Sequence, residues 1–254
     1  MERRIIAGLS IGADGKLLEK VSLTSVAGTE NPAAAASAYA DEGADEVLFR
    51  SVAHSMEALT TLSRRVSSSL RIPHTIEIDA TDSDEVGALL DAGASRVLIR
   101  VAALRDPDYV ARVARSLGSE RIAVSIVTSS EADGWRVLEA AEGAVTEWTT
   151  VTWSRVVETQ GAGSIFVESS ARGETLPAFD LDLLESVKSS VAIPVFASGA
   201  AERVEDLFDA LMIGNADGVV VGELVHSGRA TVREVKAYLV EHGLGGLGSE
   251  RVNE

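Results

Sequence analysis

The chain of 254 residues has no cysteine, which removes disulfides, thiolate metal sites and cysteine nucleophiles from consideration. Aromatic residues reach only 4% while hydrophobic residues make up 46%. A core must therefore be built from Ala, Val, Ile and Leu, the composition of parallel strands covered by helices. Positive charge is scarce: 23 Lys and Arg face 39 Asp and Glu, for a net charge of -16. Such a surface repels phosphate backbones and anionic lipid, so neither nucleic acid nor a membrane is an expected partner. No apolar run reaches bilayer-spanning length. Met1-Glu2-Arg3-Arg4 leads directly into a strand-like run, without the layout of a signal peptide, and a cytoplasmic location is the expectation. P-loop, G-x-S-x-G and dinucleotide fingerprints are missing, and no His, Asp and Glu spacing suits a metal, so no cofactor and no metal is expected.

What is present is a strict alternation of short apolar runs and longer amphipathic segments. Strands are predicted at Arg4–Ser10, Glu46–Arg50, His74–Asp79, Arg96–Arg100, Ile122–Val127, Ser164–Ser169, Pro194–Ser198 and Gly218–Gly222. Helical patterns fill the intervals at Pro32–Glu42, Met56–Ser69, Ser83–Ala92, Pro107–Leu117, Thr149–Gln160, Leu181–Ser189, Arg203–Ile213 and Thr231–His242. Gly43, Gly93, Gly214 and Gly243 follow helical segments, where a left-handed cap is expected. The two halves echo each other at an offset of roughly 120 residues: Arg4-Ile5-Ile6-Ala7 recurs as Arg121-Ile122-Ala123-Val124, and Ile72-Pro73 as Ile193-Pro194. A repeat of four strand–helix units predicts a closed (βα)8 TIM barrel with an internal two-fold half-barrel repeat, at a length of about 250 residues that suits one. Residues 1–245 are expected to form a single barrel and 246–254 a flexible tail. Lys16–Leu23 and Trp135–Ala140 are expected to form short strands, as hairpins over the barrel mouth.

Several segments carry a family resemblance. Arg4-Ile5-Ile6-Ala7-Gly8-Leu9, Asp14-Gly15, Asn31-Pro32, Gly43-Ala44-Asp45-Glu46, Ala197-Ser198-Gly199 and the closing Arg233–Leu239 helix resemble, in order and spacing, the cyclase subunits of imidazole glycerol phosphate synthase. The resemblance implies a barrel with its active site at the C-terminal strand ends and an aspartate at the end of strand one and of strand five. Here those positions hold Ser10 and Val127. A valine cannot transfer a proton, and an unassisted serine is a poor acid or base near neutral pH. The family's loop-one lysine falls at Glu19, beside Lys20, and the loop after strand six reads Ala171-Arg172-Gly173-Glu174-Thr175. The family's phosphate cradles are altered by Glu77-Ile78-Asp79, by Ala200-Ala201 after Ser198-Gly199, and by Gly222-Glu223. The resemblance also implies a glutaminase partner below a ring of charges. Arg4, Glu46 and Arg96 keep that ring but Ser164 interrupts it, which argues against such a partner here.

Charge has entered the strand ends instead. Arg50, Glu77, Asp79, Arg100 and Glu168 interrupt or end otherwise apolar runs, and residues at strand C-termini of this fold read as site residues. Glu77, Asp79 and Glu168 are candidates to shuttle protons, with His54 as a reserve acid–base group. Arg50 and Arg100 are candidates to orient an anionic group, with Ser10, Ser125, Ser198, Gly199 and Glu223 completing the pocket. Against this stands a purely structural role: Arg50–Glu168 and Arg100–Glu77 as ion pairs plugging a vacated pocket, Ser10 and Ser125 as core fillers, Glu223 as a helix cap. The expected function is a divergent lyase or cyclase acting on a small substrate without two phosphates in a specialised biosynthetic pathway. The alternative is a non-catalytic barrel that binds a ligand or a partner protein; retained imidazole glycerol phosphate chemistry ranks third. A homo-oligomer is compatible with the sequence.

Overall fold

The computed structural model describes residues 3–19, 21, 29–51, 55–80, 82–139, 143–170 and 178–245. Chain order runs β1 (Arg4–Ile11), α1 (Pro32–Asp41), β2 (Glu46–Ser51), α2 (Met56–Ser69), β3 (His74–Ile78), α3 (Ser83–Asp91), β4 (Arg96–Ile99), α4 (Val101–Arg105) and α5 (Pro107–Leu117). It continues with β5 (Ile122–Glu131), β6 (Gly134–Leu138), β7 (Val145–Thr149), α6 (Thr150–Thr159), β8 (Ser164–Ser169), α7 (Leu181–Lys188), β9 (Val195–Ser198), α8 (Val204–Met212), β10 (Gly218–Val221), α9 (Glu223–His226) and α10 (Val232–Glu241). The ring β1-β2-β3-β4-β5-β8-β9-β10 is parallel throughout and closes where β10 pairs with β1. The fold is the expected (βα)8 barrel.

Alternation along the strands sorts side chains into two cores. Ile5, Ala7 and Leu9 join the large apolar layer between the sheet and the helices. Ile6, Leu48, Leu98, Ala123, Phe166, Phe196 and Val220 turn inward and fill the waist of the barrel. Proline at the start of α1 and α5 and side-chain caps from Asn31, Ser55, Asp82, Thr149, Asp180 and Thr231 set the helix starts. The half-barrel repeat is visible in the backbone. The fourth strand of each half turns straight into a short helix, through Arg100 (φ -110, ψ -99) after β4 and Gly222 (φ -130, ψ -98) after β10.

Some local expectations are corrected. Asp79, Arg100 and Gly222 lie just past the strands expected to end on them, because the chain there turns toward the next helix. The fifth strand continues beyond Val127 to Glu131, where it turns back antiparallel as β6 and then β7. Gly214 does not take the left-handed cap. Asn215 does (φ 53), while Gly214 is needed for closeness, since a Cβ there would lie 2.8 Å from the Ala210 carbonyl. In loop one, Ile11 and Leu17 form a single antiparallel bridge. The expected tail at 246–254 lies outside the described residues.

Below the waist, Arg4, Glu46 and Arg96 stay linked, and Ser164 joins them as a neutral hydrogen-bond acceptor. Arg96 donates to both oxygens of Glu46 (2.6 and 2.7 Å) and to Ser164 Oγ (2.8 Å), and Arg4 approaches Glu46 at 3.4 Å. The Arg96 guanidinium also lies 5.5 and 5.2 Å from the ring centres of Phe166 and Phe196. Ser164 accepts one bond from Arg96 but leaves the fourth charge of the ring missing. Nearby, burial lowers the pKa of His74 to about 4, against the pull of Glu46, so its ring is neutral when it meets Ser63 Oγ at 2.9 Å.

Candidate functional site

The C-terminal strand ends gather the charged residues into one chain. Arg50, at the end of β2, donates to Glu168 of β8 (3.0 Å) and to Ser198 Oγ of β9, and its Nε lies 3.5 Å from Glu77 of β3. Glu77 in turn faces Arg100 at 3.9 Å. Period-two alternation puts all four inside the bore: Arg50 follows Leu48, Glu77 follows Thr75, Arg100 follows Leu98, and Glu168 follows Phe166. Arg50 thus sits between two carboxylates, with Arg100 beyond the second.

The electrostatics of this chain are unequal. Burial raises the pKa of Glu77, and the neighbouring Arg50 and Arg100 do not fully offset it. Burial opposes the Arg50 cation, but Glu77 and Glu168 outweigh it and raise its pKa. Glu77 Oε2, Arg50 Nε and Arg100 Nε are buried without a hydrogen-bond partner among the described residues. Their separations are those of ion pairs too long to be hydrogen bonds, so each keeps an unused donor or acceptor. Asp79 sits at the rim, where its Oδ1 accepts from Ala102 N of α4 (3.0 Å).

Beside this chain, between β1, β2, β9 and β10, opens a cavity of about 410 Å³. Gly8, Ser10, Arg50, Ser198 and Gly199 from the strand ends line it, together with Glu223 and His226 of α9 and Glu19 of loop one. The volume falls in the range of small-molecule sites. Of the residues singled out from sequence, Ser10, Arg50, Ser198, Gly199 and Glu223 meet at this cavity, while Glu77, Arg100 and Glu168 form the adjoining ion-pair chain. Ser125 is buried within β5 and is not among the residues lining the cavity. His54 lies outside the described residues, as does the loop 171–175. Gly199 has a packing reason to be glycine: a Cβ there would meet the Ala178 carbonyl at 2.3 Å.

Three residues of the site were not singled out by sequence reasoning. His226 Nδ1 lies 2.6 Å from the Tyr39 hydroxyl and Nε2 lies 2.8 Å from the Gly8 carbonyl. A carbonyl only accepts, so Nε2 carries the proton and Tyr39 donates to Nδ1. Burial lowers the His226 pKa, with Glu19 and Gly8 opposing it, and burial raises that of Tyr39, so both are neutral. Glu19 Oε1 accepts from Ser10 N (2.7 Å) and lies 3.6 Å from His226 Nε2; Glu19 Oε2 is buried without a partner among the described residues. Sequence signals were the place of His226 just after the eighth strand and the carboxylate at position 19 where the resemblance called for a cation, which reads as a loss unless its neighbours are known.

Comparison with known proteins matches residues 8–231 to the family model described as "Histidine biosynthesis protein". The chain belongs to the histidine biosynthesis protein family. Relatives described as imidazole glycerol phosphate synthase subunit HisF are 34% identical over 247 residues in Prochlorococcus marinus and 32% identical over 245 residues in Metallosphaera sedula. Each alignment covers 95% of this chain, and 96% and 97% of those relatives. The chain is therefore a cyclase-like member of that family of barrels. Where the family resemblance implies aspartates, this member has Ser10 at the cavity wall and Val127 buried in β5. Among the described residues no group of three or more His, Asp and Glu could hold a metal ion, and no helix is long and apolar enough to cross a membrane.

Proposed function

We propose that this chain is a lyase or cyclase that moves protons on a small substrate without two phosphates, in a specialised biosynthetic pathway distinct from that of its relatives. The observation that carries this reading is the chain Glu168–Arg50–Glu77–Arg100 across the mouth, beside the cavity. Acid–base chemistry at neutral pH needs two groups whose environments set them apart. Burial favours a protonated Glu77, the donor, whereas the more exposed Glu168 is held by Arg50 and Ser198 and serves as acceptor. Arg50 keeps the two in register. Its guanidinium is engaged by both carboxylates, so it positions them, and Arg100, whose ion pair with Glu77 is a long 3.9 Å, is the better candidate to meet a substrate anion. Asp79 supports α4 in this scheme.

The test is turnover. Thermal-shift screening of polar metabolites, followed by mass spectrometry of incubated hits, should give a product. Glu77→Gln and Glu168→Gln should each reduce its kcat by about 10²–10⁴-fold, the usual contribution of a positioned acid or base. Either variant retaining full turnover contradicts the assignment. Incubation with the substrate of an imidazole glycerol phosphate synthase and ammonium should give no imidazole glycerol phosphate.

A second reading is favoured by one specific feature. The arginines and carboxylates at the mouth neutralise one another, as expected of a non-catalytic barrel that binds a ligand or a partner. Under that reading hits bind but are recovered unchanged. Either way, the packed apolar waist with Arg96 stacked on Phe166 and Phe196 speaks for a barrel working without a glutaminase partner feeding its bore.

A further inference from the structure

We propose that the half of the barrel mouth between β3, β4, β5 and β8 binds the carboxylate of a small organic acid, held by the Arg100 guanidinium with the Ser125 hydroxyl as a further donor. This deepens the proposed function by naming the substrate class, and it rests on Glu77 and Glu168 being the acid and base. Arg50 of β2 and Glu168 of β8 meet across the bore at 3.0 Å and divide the mouth in two. On one side lie β9, β10 and β1 with the 410 Å³ cavity; on the other lie β3, β4 and β5. In this second half the ion-pair chain stays open. Its two ends, Arg100 and Glu168, are separated by β5, which pairs with both β4 and β8. Ser125 follows the waist residue Ala123 at a spacing of two and so faces the bore. The pairs Leu98–Ala123 and Ile99–Val124 bring Arg100 and Ser125 next in line on neighbouring segments.

Two observations point to a ligand there. Arg100 has Glu77 as its one ion pair among the described residues, at 3.9 Å, and 35% of its side chain is exposed. In the proposed function Glu77 is the protonated donor, and while it holds that proton Arg100 has no anionic partner among the described residues. Ser125 is the second. It is buried at 8% exposure, yet its hydroxyl makes no hydrogen bond to a described residue. Buried hydroxyls are ordinarily bonded, and those further along β5 are: Thr128 meets Thr150, and Ser129 donates to Glu131. A carboxylate suits this pair of donors. The planar guanidinium fork matches its two oxygens, and a hydroxyl donates one bond more. A doubly charged phosphate would face Glu168, and Asp79 two residues beyond Glu77, at a site with one free cation.

The experiment uses the full chain and three probes: isobutyrate, a carboxylate; isobutyramide, its neutral counterpart of the same shape; and inorganic phosphate as competitor. Ligand-observed saturation-transfer NMR and calorimetry should find isobutyrate bound at least about tenfold more tightly than isobutyramide, and not displaced by phosphate at equal concentration and ionic strength. Arg100→Gln should weaken isobutyrate by about tenfold or more, and Ser125→Ala by about three- to tenfold, the size of one hydrogen bond to a charged group. Ser125→Ala should leave the melting temperature unchanged, since its hydroxyl supports nothing described, so it decides the matter even where Arg100→Gln folds poorly. Three results would overturn the proposal: isobutyrate bound no better than isobutyramide, isobutyrate displaced by phosphate, or isobutyrate affinity unaltered by Ser125→Ala. Because the readout is binding, it is separable from turnover. Isobutyrate held through Arg100 and Ser125 with no reaction ever found would leave the carboxylate anchor standing and remove the proton-transfer reading. Turnover that depends on Glu77 and Glu168 without carboxylate binding would do the reverse.

Discussion

Replacing Arg50 by leucine is expected to destabilise the fold by about 3–5 kcal/mol at pH 7, the cost of removing one partner from a buried ionic group. The size follows from what remains. Glu77 and Glu168 both lose their shared cation, and Ser198 loses its donor. Glu77 is buried and has only Arg100, at 3.9 Å, to turn to. The loss should shrink as pH falls, since protonating one carboxylate relieves the repulsion between the two. Arg50→Lys keeps the charge but cannot reach both carboxylates and Ser198 at once, so it should fall between leucine and the wild type. Urea unfolding at pH 5 and pH 7 measures this directly. An Arg50→Leu protein as stable as the wild type at both values would mean that the mouth charges are solvated independently.

The second large effect lies at the other end of the bore. Arg96→Met should cost a similar ~3–5 kcal/mol, because Glu46 is fully buried and depends on Arg96 for two of its bonds. Arg4 touches Glu46 only at 3.4 Å from a half-exposed position, so it cannot compensate. The double variant Glu46→Leu with Arg96→Met should recover most of the loss, since replacing both charges by apolar groups removes the uncompensated ion. Chemical denaturation of the four proteins closes the cycle. If the double variant were as unstable as the sum of the singles, Glu46 and Arg96 would not be acting as a pair. The apolar waist of Ile6, Leu48, Leu98, Ala123, Phe166, Phe196 and Val220 separates the two charge clusters, so combining Arg50→Leu with Arg96→Met should be close to additive.

The barrel was legible because its signals are periodic and local. Helices Met56–Ser69 and Pro107–Leu117 and strand Ser164–Ser169 fall where the pattern put them, since apolar spacing, proline at a first turn and polar caps act within a few residues. The short helix α4 was not foreseen, and α9 was foreseen only as a helix capped by Glu223, whereas Glu223 is its first residue and Gly222 stands at the cap without a side-chain bond. They are a single turn each and arise from the sharp backbone turn at Arg100 and Gly222, which no side-chain pattern encodes. Asn215 took the left-handed position beside Gly214 because packing against Ala210 and Leu184 reserves the glycine for close approach. The charged mouth was visible as odd residues in apolar runs, and the pairs Arg50–Glu168 and Arg100–Glu77 were foreseen as the structural alternative. The Arg50–Glu77 approach joining them into one chain was not. The Tyr39–His226–Gly8 link joins residues 187 and 218 positions apart, so only the closure of the ring brings them together.

At Glu77, burial outweighs two arginines and raises the carboxyl pKa above its ordinary value. Carboxyl-selective 13C NMR across pH 3 to 8, with Glu77→Gln identifying the resonance, reads that pKa directly. The account predicts a titration midpoint above the ordinary carboxylate value of 4.5. It also predicts that this group's contribution to stability is complete below 4.5 and declines as pH rises through the folded midpoint, because the folded state then holds a proton that the unfolded state has released. A midpoint at or below 4.5 would show the arginines winning, leave Glu77 an ordinary ion-pair partner, and contradict its role as the acid.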